Sequence, residues 1–349
     1  MTGQKFITID VGSTWTKAFL VNVTAETRID IEKSSRLPTS RGELPYAINI
    51  LLSNLGEKET PKIFVSRLPE VEKIAEEQKG DFVKEESAKQ ALANFLKEAS
   101  SETVILDGGA ANLEQDFSAV GSGKFLSFPF SEIYLENFFG NRKVRSHILP
   151  KDTKELEIEE AFLRTSFMKA VAGRDKKILI AATGGILSGT PKLSRLGLLI
   201  LDILEENVVA QVFFDREFFL PSFGALLVRH QQLQVAMVGD WFESLGALVS
   251  LGGPAAVTLD WGYSQVQQVE LESDEVSLIP APAGQKIDLT FTKEPKEKKG
   301  FTITGGSLGI LLDSRLKPLS LTFGQESSRN RVAAWRQELE KAELTKEAF

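Results

Sequence analysis

Residues 6–23 read FITIDVGSTWTKAFLVNV, and this stretch decides the fold. Two runs rich in β-branched and aromatic residues, 6–9 and 18–23, flank Asp10-Val11-Gly12-Ser13-Thr14-Trp15-Thr16-Lys17, so strand, turn, strand is the simplest reading. A turn rich in glycine and hydroxyls offers amide and side-chain donors to an anion, and an aspartate at a strand end can hold magnesium through water. Lys17 adds a point charge suited to phosphate. A single Asp-x-Gly after a strand is also a common turn, so the weight falls on what recurs downstream.

The pattern does recur. An apolar strand over 103–106 ends in Asp107-Gly108-Gly109, and the apolar run that begins at Lys177 ends in Thr183-Gly184-Gly185. Two aspartate turns facing each other would clamp the phosphates of a nucleotide, while a double glycine lets a ribose or adenine approach the backbone closely. In the first half, 28–31 and 63–66 read as strands and 43–55, 69–78 and 85–99 as helices, with only weak candidates for a last strand. In the second half, strands are expected at 113–120 and 125–128 around a Gly121-Ser122-Gly123 turn, and at 177–181 and 209–213. Helices are expected at 130–138, 154–171, 192–205, 222–232 and 241–251. This long-period repeat implies an α/β chain of duplicated units.

After Gly252-Gly253-Pro254 the texture changes to short strands at 257–261, 265–271, 286–291, 300–303 and 308–312, with the charged insert 293–299 as a hairpin loop. Val332, Trp335, Leu339 and Ala342 mark one face of a helical tail that docks on its own chain. The expected division is therefore 1–100 and 101–253 for the two halves, 254–320 for the β-rich module and 321–349 for the tail.

Composition bounds the chemistry. In 349 residues, 41 Lys and Arg stand against 48 Asp and Glu, so a net charge of -7 provides no global basic field for nucleic acid or anionic membrane. The absence of cysteine removes disulfides, thiolate nucleophiles, iron-sulfur clusters and Cys-ligated zinc, and His147 and His230 are too far apart in sequence to suggest a histidine metal site. Aspartate, hydroxyl, lysine and glycine must carry any chemistry. The N-terminus lacks signal-peptide features, and the apolar stretches 196–204 and 208–214 are interrupted or separated by Asp202, Glu205 and Glu206, so no integral membrane segment is expected and the default location is cytoplasmic. His230, beside Arg229, reads as a surface residue, and Phe125, Phe128, Phe130, Phe138 and Phe139 as core. Gly121-Ser122-Gly123-Lys124 imitates the end of a P-loop, but Ser118 and Phe125 occupy the positions of its leading glycine and its hydroxyl, which leaves a hairpin turn.

In sequence order, the three turns resemble the first phosphate, second phosphate and adenosine motifs of the actin, sugar-kinase and heat-shock chaperone superfamily of ATPases. IDVGSTWTKAFLV (9–21) and AATGGIL (181–187), with FFDREFFLPSFGALL (213–227) and GGSLGILLDSRLKPL (305–319), resemble the glutamate mutase L (MutL-type) family of actin-like reactivating factors. The resemblance implies duplicated ribonuclease H-like halves, ATP and Mg2+ as cofactors, Asp10 and Asp107 as catalytic and metal-positioning residues, and Gly12, Ser13, Thr14, Thr16, Lys17, Gly108, Gly109, Thr183, Gly184 and Gly185 around the nucleotide. The chain departs from that family's second phosphate motif, which carries two threonines where Asn112 and Leu113 stand here. Losing such a positioned donor costs on the order of a hundredfold in rate, so nucleotide binding is expected ahead of rapid hydrolysis, with weak ATPase activity left open.

The resulting expectation is an actin-like ATP-binding chaperone or reactivating factor acting on a protein client such as a cobalamin-dependent mutase, with self-association left open and no nucleic-acid partner. A non-catalytic actin-like scaffold is the alternative. A small-molecule kinase ranks third, because no carboxylate stands out as a base.

Overall fold

A computed structural model of the chain describes residues 3–24, 28–57, 59–99, 102–109, 118–145, 148, 150–230, 241–293 and 297–346. Strands β1 (Gln4–Val11), β2 (Trp15–Val23) and β3 (Ile29–Pro38) are followed by α1 (Leu44–Leu55), β4 (Lys62–Ser66), α2 (Glu70–Glu77), β5 (Asp81–Lys84) and α3 (Glu85–Ala99). Next come β6 (Thr103–Asp107), α4 (Ala119–Gly123), α5 (Glu132–Val144), α6 (Thr153–Val171), β7 (Lys177–Thr183), α7 (Gly185–Ser188), α8 (Leu193–Ile203), β8 (Val208–Asp215) and α9 (Leu220–Arg229). The remainder comprises β9 (Phe242–Ser250), β10 (Ala255–Asp260), β11 (Val266–Leu271), β12 (Val276–Ile279), β13 (Lys286–Lys293), β14 (Glu297–Thr304), β15 (Gly309–Asp313) and α10 (Glu326–Lys346).

The chain forms two compact units. The first contains Met1–Ser101, Arg145–Leu149 and Asp215–Phe242, and the second contains Glu102–Val144, Pro150–Phe214 and Glu243–Phe349.

The sheet of the first unit has the order β3-β2-β1-β4-β5. The β1-β2 and β2-β3 pairs are antiparallel, whereas β4 and β5 run parallel to β1. This is the strand order of a ribonuclease H-like sheet, and it accounts for the composition of β1. Ile7, Ile9 and Val11 pack in one cluster with Leu44, Ile48 and Leu51 of α1 and Val71 and Ala75 of α2. On the opposite face Phe6 meets His230, which follows α9. A strand covered on both faces reads as a continuous apolar run. Asp10 lies at the carboxyl end of this strand, where buried backbone gives way to the turn.

In the second unit, one sheet has the order β12-β15-β9-β8-β7-β6, with β6, β7 and β8 parallel. This parallel trio repeats β1, β4 and β5, and each trio is led by a strand ending in the Asp of a turn. The other sheet, β11-β10-β13-β14, is antiparallel. Its inner face, formed by Val257, Leu259, Leu289 and Phe291, closes a core with Ala247, Val249 and Leu312. On the tail helix α10, Val332, Trp335 and Leu339 are buried in the main core of this unit, as their spacing implies.

The structure corrects several sequence expectations. Residues 241–251, expected as a helix, form β9, because the run of apolar residues is buried on both faces of a strand paired with β15. The strand expected at 125–128 is absent, and the Gly121-Ser122-Gly123 turn is instead the short helix α4, N-capped by Ser118, whose Oγ accepts from the Gly121 amide at 3.0 Å. Of the expected strand 113–120, residues 113–117 lie outside the described residues, and Ala119 and Val120 belong to α4 rather than to a strand. His230 is half-buried rather than a free surface residue; its ring centroid is 4.4 Å from that of Phe6, and burial lowers its pKa. The missing last strand of the first sheet is β5, only four residues long. Among the described residues, no helix is long and apolar enough to cross a membrane.

Candidate functional site

The turn between β1 and β2 is fastened from behind. The Gly12 amide donates to the Trp15 carbonyl at 3.0 Å and the Thr39 amide to the Thr14 carbonyl at 2.9 Å. The Thr39 hydroxyl donates to the Gly12 carbonyl at 2.8 Å, and the Ser66 hydroxyl to the Val11 carbonyl at 2.7 Å. Since the Thr39 proton is engaged by Gly12, the 3.0 Å contact between the Thr16 and Thr39 hydroxyls has Thr16 as its donor. Thr16 is fully buried and its hydroxyl serves the turn's own framework, whereas Ser13 is exposed and Thr14 half-buried.

Asp10 and Lys17 stand directly opposite each other on β1 and β2. Lys17 Nζ lies 2.6 Å from Asp10 Oδ2, and the two side chains are only 11% and 9% exposed. The same ammonium donates to the Phe218 carbonyl at 3.4 Å and lies 5.1 Å from the centre of the Phe218 ring. Phe218 has φ of 60°, a left-handed conformation that a bulky residue adopts only when its surroundings enforce it. Asp215, fully buried, holds that segment by accepting from the amides of Phe219 and Leu220 at 2.9 and 2.8 Å. The segment therefore brings a carbonyl and an aromatic face to Lys17, all within the first unit.

In the second unit, the two remaining glycine turns lie side by side at the carboxyl ends of β6 and β7. Asp107 pairs with Thr183 across the parallel strands, and the Gly108 amide donates to the Thr183 carbonyl at 2.7 Å. Asp107 Oδ1 accepts from the Gly109 amide at 2.9 Å, so one of its oxygens shapes its own turn. Gly184 has φ of 103°, and a Cβ there would come within 2.5 Å of the Gly108 carbonyl carbon and the Gly109 amide nitrogen. Only glycine permits that approach. Gly185 opens α7, and the Ile186 amide returns to the Gly108 carbonyl at 3.2 Å. The structure thus joins Asp107, Gly108, Gly109, Thr183, Gly184 and Gly185 in one cluster, and Asp10, Gly12, Ser13, Thr14, Thr16 and Lys17 in another. Asn112 and Leu113 lie outside the described residues.

Sequence reasoning missed Thr39, Ser66 and Phe218. Each is an ordinary residue far along the chain from the turn it serves. It also missed an ionic network in the core of the second unit. Arg315, fully buried, reaches Asp313 and Asp202, and Asp202 also meets Arg164. The cations beside Asp313 hold its carboxyl down at about 2 against the opposing effect of burial. On α6, Glu159 pairs with Arg142, but burial outweighs that partner and pushes its carboxyl up to about 7.

No protein-family model and no curated protein matches the chain. Among solved structures, it is similar to component A of (R)-2-hydroxyglutaryl-CoA dehydratase from Acidaminococcus fermentans, with a TM-score of 0.38, 14% identity, and coverage of 66% of this chain and 99% of that one. An inorganic polyphosphate/ATP-glucomannokinase from Arthrobacter sp. strain KM gives a TM-score of 0.39 and 13% identity over 66% and 99% of the two chains. A Ppx/GppA family member from Aquifex aeolicus gives 0.30 and 12% over 69% and 94%. The strand order of the first sheet, with an aspartate turn at the end of its first strand, defines the class: a mixed α/β protein with a ribonuclease H-like fold.

Proposed function

We propose that the protein binds ATP with magnesium and uses that binding to act on a protein client. The observation that carries this reading is the buried Asp10-Lys17 pair at the edge of a glycine and hydroxyl turn at the end of β1. The donor set fits the ligand: a carboxylate for a hydrated cation, an ammonium for phosphate, and the exposed Ser13 hydroxyl in the same turn. Magnesium keeps most of its waters and binds through one or two carboxylates and the phosphates, so it asks little more of the chain than an aspartate at a strand end.

In this reading Asp10 and Asp107 position the ion, and Gly12, Ser13, Thr14 and Lys17 receive phosphate with Gly108 and Gly109. Thr183, Gly184 and Gly185 receive the adenosine side. A bound magnesium ion would neutralise phosphate charge. Lys17, a compact charge on a flexible stem, would pass from the Asp10 carboxylate to a phosphate oxygen. Binding of this kind biases a conformational equilibrium by its differential affinity for the two states. The resemblance to glutamate mutase L supports a cobalamin-dependent mutase as the client and reactivation as the outcome.

Calorimetry with Mg-ATP tests the reading. Binding by the native chain that is lost in Asp10→Ala is the expected result, and equal binding by both would refute it. Faster ATP turnover on adding a cobalamin-dependent mutase would favour the reactivating role over a passive scaffold.

A further inference from the structure

We infer that Thr39 is the positioning residue of the phosphate turn, with Ser66 as its second strap. The inference rests on the anion role proposed for residues 10–17. Backbone carbonyls carry partial negative charge, so a turn that receives phosphate must keep them off the anion. Here the carbonyls of Gly12 and Thr14 are both drawn toward one residue, by the Thr39 hydroxyl at 2.8 Å and the Thr39 amide at 2.9 Å. Across a planar trans peptide, the carbonyl of one residue and the amide of the next point in opposite directions. Holding the Gly12 and Thr14 carbonyls at Thr39 therefore turns the Ser13 and Trp15 amides away from Thr39. Two amides turned off the same residue, with Thr14 between them, form the kind of donor pair that takes an anion.

Ser66 works one residue upstream. Its hydroxyl holds the Val11 carbonyl at 2.7 Å while accepting the Leu68 amide at 3.0 Å, and the residue is 1% exposed. The Thr16 hydroxyl, donating to Thr39, completes the framework. Thr39 touches no phosphate in this scheme. It fixes the direction of the donors that do.

The test compares native chain, Thr39→Val, Thr39→Ser and Ser66→Ala for binding of Mg-ATP and of magnesium pyrophosphate by calorimetry, with thermal melting as a control for folding. Thr39→Val keeps the shape and removes the hydroxyl, so affinity for both ligands is expected to fall about five- to tenfold, the worth of one such hydrogen bond, whereas Thr39→Ser stays within about twofold of native. Native binding with an unchanged Thr39→Val, or a Thr39→Ser as weak as Thr39→Val, overturns the positioning role and leaves nucleotide binding standing. A native chain that binds neither ligand removes the nucleotide reading and this inference with it. Should Thr39→Val fail to fold, Ser66→Ala decides: weaker binding supports the strap and native binding overturns it.

Discussion

The Asp10-Lys17 pair exposes two charges so little that neither can be removed alone without consequence. Lys17→Met leaves a carboxylate buried beside an apolar stem, a change that typically costs about 3 kcal/mol or more. Ser13→Ala, at an exposed position, should stay within about 0.5 kcal/mol. Urea denaturation of the two variants checks the contrast. Asp10 and Lys17 stood out in the sequence as the acidic and basic members of a glycine turn, but their pairing did not, because it depends on both strands extending into that turn until the two residues face each other. Thr39 and Ser66 were not, because a hydroxyl that serves a turn 27 or 55 residues away leaves no trace in local spacing.

Glu159 makes a second prediction at the same scale. Its carboxyl rises from an ordinary 4.5 to about 7 in the folded chain, so the folded state holds that proton more tightly than the unfolded state does. The group therefore weakens the second unit progressively as pH rises from 4.5 to about 7, and the loss is complete above that range. Glu159→Gln should remove this part of the slope when denaturation midpoints are followed from about pH 5 to 8. Asp313 works in the opposite sense: its carboxyl, lowered from 3.8 to about 2, contributes stability that is lost only as pH falls through that lower range.

Among elements, those with a single period or a hard boundary were readable. The helix α6 shows it: its start is fixed by Asp152, whose carboxylate accepts from the Lys154 and Glu155 amides, both at 2.9 Å. What failed were elements that only tertiary pairing creates. β5 is four residues of mixed character held by β4, and β12 is four residues held by β15. β9 carries an apolar run whose period cannot separate strand from helix. Gly246, inside β9, has φ of 121°, and a Cβ there would fall 1.9 Å from the Gly309 carbonyl oxygen on β15. Gly246→Ala should thus cost about 4 kcal/mol or more, read as a collapse of soluble yield or melting temperature. α10 reaches across to cap α8: the Glu343 carboxylate accepts from the Leu193 and Ser194 amides at 3.0 and 3.2 Å. Glu343→Ala should destabilise the chain by about 1–2 kcal/mol in thermal denaturation, as loss of an N-cap does.

At the scale of the whole molecule, the order of elements along the chain and the grouping of elements in space diverge. The first unit draws on residues 1–101 and also on Asp215–Phe242. Within it, Gly224 of α9 sits so close to α3 that a Cβ would come within 2.4 Å of the Ala88 carbonyl oxygen. A fragment ending at residue 101 should consequently show little cooperative melting by circular dichroism. Supplying 215–242 through a short linker should restore a cooperative transition. A sharp transition in the short fragment would show that α9 is dispensable.

The return of α9 to the first unit also sets a timetable for synthesis. The strand that carries Asp10 leaves the ribosome early, yet the helix that covers Phe6 and Phe19 is not made until about two hundred residues later, since Phe19 rests on Phe219 and Phe6 on His230. At about 5–20 residues per second, that is a delay of roughly 10–40 s, during which Phe6 and Phe19 lack the cover that α9 gives them. The candidate phosphate turn is thus written first and finished late, and its first occupant in the cell must wait for the middle of the message.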